Sequence, residues 1–319
     1  MPLLPGVQRL IDMASDGPSL ADIPIQQARL QLDTLAASFG TGDRVGSTSD
    51  VDIPTPSGTV SARVYHPEGG GADLPPLLYF HGGGWSVGGL STSDALCRKL
   101  TARSGGVVVN VDYRLAPENP YPAAVEDALA AAAWLSRNAS DINAGGPGIL
   151  VGGDSAGGNL AAVVAQASRS TDEFTVRAQL LICAAVNLGH RRGSYVEFAK
   201  GYFVSTSEFE HWISLYAPGQ DLSHPQLSPA AATDLAGTPA ALVVTAEYDP
   251  LRDAGEEYAR ALQTAGVDVS LFRVAGQVHD FPVLGDLIPE GDAAVDDIVD
   301  RWRTLLAGEP DRTGSTTRI

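Results

Sequence analysis

The stretch Gly152-Gly153-Asp154-Ser155-Ala156-Gly157-Gly158 decides the fold, because it carries the pattern G-x-S-x-G centred on Ser155. The apolar run before it, at 149–151, predicts a buried strand, and the Ala-rich run at 155–168 predicts a helix. Where a strand turns sharply into a helix, one hydroxyl protrudes from a strained corner, and only small residues fit around it. The N–H of Ala156 would then face outward at the helix N-terminus, where the dipole favours a negatively charged oxygen.

A glycine-rich turn of this kind can also hold a phosphate group. The stretch lacks the Gly-Lys-Ser/Thr ending of a phosphate-binding loop, and it lacks the G-x-G-x-x-G spacing of a dinucleotide-binding fold. Both alternatives are therefore disfavoured relative to a nucleophilic serine.

Outward from this turn, apolar runs alternate with helical patterns. Strands are predicted at 51–54, 60–65, 77–80, 107–111, 149–151, 179–185, 241–246 and 269–274, and helices at 123–138, 155–168, 252–264 and 292–306. Such alternation predicts a mostly parallel sheet of eight strands with helices on its faces, so the fold class is α/β.

Two regions depart from the alternation, namely 1–45, which has an amphipathic helical pattern, and 187–226, which is rich in aromatic residues. An insertion after a sheet strand lies over the edge where open α/β sheets bind ligands, so it is interpreted as a lid. We therefore expect a lid at 187–226 and a flexible tail at 308–319.

A second glycine-rich segment, His81-Gly82-Gly83-Gly84-Trp85, directly follows the predicted strand at 77–80. Consecutive glycines let backbone N–H groups converge on one oxygen, so Gly83 and Gly84 are predicted to complete an oxyanion hole with Ala156. The alternative is a flexible turn between strand and helix. His81 is expected to brace the loop rather than to act as a base.

Candidates for an acid and a base follow two later strands. Asp249 sits in Glu247-Tyr-Asp-Pro-Leu-Arg-Asp253, where it could also cap the next helix, and Glu247 and Asp253 are lesser candidates. His279 is the one histidine in a late position. The order Ser155, Asp249, His279, each after a separate strand, is typical of an α/β-hydrolase.

Other sequence features limit the partners of the chain. The 319 residues carry a net charge of −17, which disfavours nucleic acid and anionic membranes as partners. No apolar run approaches the ~20 residues that span a bilayer, and the N-terminus lacks a signal-peptide pattern. Two cysteines in apolar segments indicate free thiols, and we expect a cytoplasmic protein. No histidine pair has metal-ligand spacing, so no metal is predicted.

Together these motifs resemble the hormone-sensitive-lipase-like carboxylesterases of the α/β-hydrolase superfamily. The matching stretches are His81–Trp85, Asp112-Tyr-Arg-Leu-Ala-Pro-Glu118, Gly152–Asn159, Glu247–Asp253 and His279-Asp-Phe281. The resemblance implies a triad of Ser155, Asp249 and His279, and an oxyanion hole of Gly83, Gly84 and Ala156. It further implies a catalytic domain at 46–186 and 227–307 with a helical cap at 1–45 and 187–226. It also implies hydrolysis of short- to medium-chain acyl esters without a cofactor, and a possible homodimer through the last strand.

Several points stay open at this level. The family often has Gly after the histidine, whereas this chain has Asp280, which could raise the pKa of His279 or point to solvent. Trp85, Phe203, Trp212 and Phe281 are candidates for the substrate pocket. The alternatives to a carboxylesterase are a deacetylase or lactonase of a small metabolite, and a non-catalytic receptor on the same scaffold.

Overall fold

The computed structural model describes residues 2–14, 17–70 and 74–308. The predicted tail lies outside these residues, apart from Gly308. The strands are β1 (Ser47–Thr55), β2 (Gly58–His66), β3 (Leu77–Phe80), β4 (Val108–Val111), β5 (Ile149–Asp154), β6 (Val176–Ile182), β7 (Ala240–Tyr248) and β8 (Val269–Val278). The α-helices are α1 (Pro5–Ala14), α2 (Ile25–Ala36), α3 (Leu90–Ser104), α4 (Ala123–Asn138), α5 (Ser155–Ala167), α6 (Ser194–Glu197), α7 (Thr206–Tyr216), α8 (Arg252–Thr264) and α9 (Pro289–Leu306).

All eight strands form one sheet in the order β1-β2-β4-β3-β5-β6-β7-β8. β1 and β2 form an antiparallel hairpin, β2 is antiparallel to β4, and the other neighbours are parallel. The predicted α/β class and mostly parallel sheet are therefore confirmed. Because parallel strands point the same way, the loops after β3, β5, β7 and β8 meet at one edge of the sheet.

Helices cover both faces of the sheet, and each face has its own apolar core. One core includes residues of α4, α5 and α8, and the other includes residues of α3 and α9. β3, β4 and β5 are buried along their whole length, which explains their continuous apolar runs.

Helix α3 was not predicted from the sequence. Its first turn reads Leu-Ser-Thr-Ser, which has low helix propensity. The helix is held by packing instead, because Leu96, Cys97 and Leu100 are buried against the sheet.

The two segments outside the alternation occupy distinct places. In the N-terminal segment, Val7 and Leu10 of α1 are buried in the same core as α9, while Ala28 of α2 packs with Val87 and Trp212 of α7. Ser19 also donates a hydrogen bond of 2.5 Å to Glu208 of α7. Part of this segment therefore packs on the sheet layer, and part packs on the aromatic insertion.

No helix in the described ranges is long and apolar enough to cross a lipid bilayer. β8 forms one edge of the sheet, with β7 as its neighbour. A homodimer through this edge stays a prediction.

Candidate active site

Ser155 is the first residue of α5 and has the left-handed φ of 51°. The corner fits only because the residues two positions before and two positions after Ser155 are glycines. A Cβ on Gly153 would lie 2.5 Å from the carbonyl oxygen of Phe80, and a Cβ on Gly157 would overlap that same oxygen. The close approach of β3 to the corner thus gives the physical reason for the G-x-S-x-G pattern.

Ser155, His279 and Asp249 form one hydrogen-bonded chain. Nε2 of His279 lies 2.9 Å from Oγ of Ser155, and Nδ1 lies 2.9 Å from Oδ2 of Asp249. The other carboxylate oxygen of Asp249 accepts a 2.8 Å bond from the N–H of Leu251. Because the carboxylate can only accept, Nδ1 carries the proton, and Nε2 is left free to accept the proton of Ser155.

The environment of His279 favours its protonated form. Burial alone lowers the pKa of the imidazole, but the negative charges of Asp249 and Asp280 outweigh it and raise the pKa well above its ordinary value. A base with a raised pKa takes a proton from a hydroxyl more readily.

A further acidic group lies beneath the site. Asp154 ends β5, is buried, and accepts a 2.6 Å bond from the hydroxyl of Tyr79. Burial, and next the charge of Asp280, raise the pKa of Asp154 to about 8.

The glycine loop faces Ser155 from the end of β3. Gly83 and Gly84 have φ of 109° and 58°, and the carbonyl of Gly83 accepts from Ser86 and Val87. Among the described groups, none accepts a hydrogen bond from the N–H of Gly83 or Gly84. Together with the N–H of Ala156 in the first turn of α5, these groups are available for a ligand.

Side chains around the loop fix its shape. His81 is fully buried, stacks on Tyr113 with ring centroids 4.3 Å apart, and has its pKa lowered to about 4 by burial. The hydroxyl of Tyr113 donates to the carbonyl of His81, and Arg29 of α2 donates to the carbonyls of Ser86 and Ala116. A neutral, packed His81 agrees with the bracing role expected from the sequence.

A cleft opens above Ser155. It is lined by Gly84, Trp85, Ser155, Ala185, Asn187, Leu188, Arg191, Tyr195, Phe209, Trp212, Ile213 and Leu251. Of the four predicted pocket residues, Trp85 and Trp212 therefore line the cleft.

The other two predicted pocket residues, Phe203 and Phe281, are not among the residues that line this cleft. Phe281 is fully buried in the core beneath α9, because the chain turns at Asp280, where φ is 54°, directly after His279. Phe203 packs partly buried against that same core. Neither side chain reaches the cleft.

The sequence analysis missed Phe209, whose ring lies edge-on to His279 with centroids 5.1 Å apart. Phe209, Trp212, Ile213 and Tyr216 are buried on one face of α7. Their helical spacing of three and four residues was the signal that could have identified this face.

The lesser acid candidates have other partners. Asp253 accepts from the N–H of Ser194 and pairs with Arg252, while Glu247 accepts from the N–H of Gly276. Within the described residues, the groups that could jointly hold a metal ion are Cys183, Asp249 and His279, whose ligand atoms lie within 4.8 Å of one another. Of these three groups, Asp249 and His279 are hydrogen-bonded to each other. The absence of a metal stays a prediction.

Comparisons with known proteins agree with this geometry. Residues 77–283 match the sequence family described as alpha/beta hydrolase fold. The chain is 41% identical over 267 residues to the carboxylic ester hydrolase LipN of Mycobacterium tuberculosis, which covers 81% of this chain and 70% of that protein. It is 37% identical over 258 residues to an arylesterase of Saccharolobus solfataricus, which covers 80% of this chain and 84% of that protein.

Solved structures give the same result. A hyperthermophilic esterase from the archaeon Pyrobaculum calidifontis superposes with a TM-score of 0.89 at 39% identity, over 97% of this chain and 99% of that one. The resemblance drawn from the motifs is thereby confirmed, and the chain belongs to the α/β-hydrolase family as a carboxylic ester hydrolase.

Proposed function

We propose that this chain hydrolyses small neutral esters through an acyl-enzyme on Ser155, with His279 as the proton acceptor and Asp249 as its orienting acid. The observation that carries the proposal is the buried chain of two 2.9 Å contacts from Ser155 through His279 to Asp249. A serine hydroxyl is a weak nucleophile until a base within hydrogen-bond distance takes its proton.

Two half-reactions follow from this arrangement. Oγ of Ser155 forms a bond to the ester carbonyl while its proton passes to Nε2 of His279, and the leaving alcohol then departs with that proton. His279 next takes a proton from water, whose oxygen attacks the acyl carbon and releases the acid and Ser155. The N–H groups of Gly83, Gly84 and Ala156 would bind the oxyanion, at roughly 2.7–4 kcal/mol each.

The cleft favours short to medium acyl chains. A Cβ on Gly84 would lie 2.6 Å from Cβ of Trp212, so the Trp212 side chain packs directly on the glycine loop. This contact limits the space beside the oxyanion hole. We infer that the 3-10 turn at Leu20–Asp22, α2 and α7 form the cap, since α2 and α7 pack on each other through Ala28 and Trp212.

The proposal is tested with Ser155→Ala and the matched control Ser214→Ala, which alters an exposed serine of α7. We expect Ser155→Ala to lose hydrolysis of p-nitrophenyl acetate and butyrate, and to lose labelling by a fluorophosphonate, while the control keeps both. Near-parental kcat in Ser155→Ala would refute the assignment of the nucleophile. Labelling of Ser155 in the parent would also exclude a non-catalytic receptor.

A second candidate is a hydrolase of ring-bearing substrates, such as a lactonase or a deacetylase of a small metabolite. The observation that favours it is the aromatic lining by Trp85, Tyr195, Phe209 and Trp212. A panel of linear esters from acetate to octanoate, set beside lactones and aryl acetates, separates the two by kcat/KM.

A further inference from the structure

Asp280 presents a second carboxylate to the reacting nitrogen of His279. Its Oδ2 lies 3.3 Å from Nε2, the atom that also lies 2.9 Å from Oγ of Ser155. The side chain is 18% exposed, and its other oxygen, Oδ1, is buried without a hydrogen-bond partner. Asp280 therefore points at the imidazole and not to solvent.

The backbone holds this carboxylate in place. Asp280 has φ of 54°, a left-handed conformation that glycine adopts easily and that aspartate and asparagine tolerate better than other residues. The position thus combines a conformation suited to glycine with a charged side chain aimed at the site.

The groups that face His279 from the surrounding elements are acidic or neutral. Asp249 approaches from the loop after β7, Asp154 from the end of β5, and Cys183 from the end of β6. The ring of Phe209 packs on it from α7. In the described ranges, His279 is the one basic side chain within ion-pair distance of Asp280.

We propose that Asp280 is a positioning residue that holds the proton on Nε2 of His279, which strengthens the base and moves esterase activity towards alkaline pH. The proposal rests on the function proposed above. In acylation the proton passes from Oγ of Ser155 to Nε2, and the imidazolium then lies between two carboxylates. No covalent bond to Asp280 forms or breaks in this step.

The same attraction acts on the free enzyme. When Nε2 is already protonated and held by Asp280, it has no lone pair for the proton of Ser155, so the enzyme is inactive. Removal of the Asp280 charge should therefore increase the fraction of enzyme in which His279 is neutral at acidic pH. At alkaline pH, where His279 is already neutral, the same removal should make it a weaker base.

The test is the pH profile of kcat/KM for p-nitrophenyl butyrate in Asp280→Asn and Asp280→Gly, both of which tolerate the left-handed φ. We expect the acidic limb to move to lower pH by about one unit or more. The variants should then be about tenfold more active than the parent at the foot of its acidic limb, and equal or slower on the alkaline plateau. The control Asp268→Asn removes a charge from an exposed aspartate before β8, and its profile should match the parent.

Two results would overturn the proposal: an acidic limb that stays in place in both variants, or a uniform loss of activity at every pH, as a purely structural role would give. Titration of the His279 ring by NMR, in protein with isotope-labelled histidine, provides a readout without catalysis. We expect its midpoint to fall in Asp280→Asn. An unchanged midpoint contradicts the role of Asp280, whereas full activity of Ser155→Ala contradicts only the proposed function.

Discussion

Asp249→Asn tests the orienting role of Asp249 with almost no change in shape. In the parent, Oδ1 accepts from the N–H of Leu251 and Oδ2 accepts from Nδ1 of His279. In the variant, the amide oxygen can keep the bond from Leu251, which places the NH₂ group opposite Nδ1. Nδ1 must then accept a hydrogen bond, so the proton of the imidazole moves to Nε2.

Two effects of this change act on the rate. With Nε2 protonated, His279 cannot take the proton of Ser155 in that tautomer. In addition, the substitution removes the negative charge of the carboxylate, which lies about 4 Å from the imidazolium formed in the transition state. The attraction between two such charges is about 4 kcal/mol at an effective dielectric constant of about 20. Since each 1.36 kcal/mol is about tenfold in rate, we expect kcat to fall by about 10³–10⁴-fold.

The assay is steady-state hydrolysis of p-nitrophenyl butyrate, with thermal unfolding to show that the variant is folded. Asp253→Asn is the matched control, because Asp253 lies in the same segment but contacts Ser194 and Arg252. We expect the control to keep kcat within about threefold, since it leaves the transition state unchanged. A kcat of Asp249→Asn within about tenfold of the parent would refute the reasoning from the tautomer.

Two further predictions concern the cleft and the acid beneath it. Trp212→Ala removes the side chain that packs on Gly84, so the ratio of kcat/KM for p-nitrophenyl octanoate over butyrate should rise about tenfold, and an unchanged ratio would place the acyl chain elsewhere. Burial and Asp280 raise the pKa of Asp154 from 3.8 to about 8, so the folded chain binds a proton there that the unfolded chain releases. This contribution to stability is complete below about pH 4 and is lost as the pH rises through about 8, at up to about 1.4 kcal/mol per pH unit. In Asp154→Asn, the free energy of unfolding in urea should therefore fall less between about pH 5 and 8 than in the parent, and an equal fall would contradict the assignment.

The fold class and the chain order of the candidate triad followed from local patterns. Buried parallel strands read as continuous apolar runs, and a sharp corner close to β3 admits only glycine beside Ser155. Both patterns are visible within one short segment, although the contact with β3 that requires the glycines joins residues far apart along the chain. For that reason Ser155, Asp249 and His279 could be named before their contacts were known.

Side-chain direction and long-range packing could not be predicted from the sequence. Phe281 follows His279 by two residues, yet it enters the core beneath α9, while Phe209 of α7 lies against the imidazole. The same holds for α3, which has a weak local signal and is held by its buried face. Such contacts depend on how distant elements pack.

Asp280 shows most clearly the difference between what the sequence predicts and what the tertiary structure decides. Its sequence position allowed either contact with His279 or exposure to solvent, and no local pattern distinguished the two. In the folded chain, Asp280 has a left-handed backbone and its carboxylate lies 3.3 Å from Nε2 of His279. The sequence by itself determined the class of fold and the candidates for the reacting groups. The tertiary structure decided which charges and aromatic rings surround those candidates, because those distances are set by elements far apart along the chain.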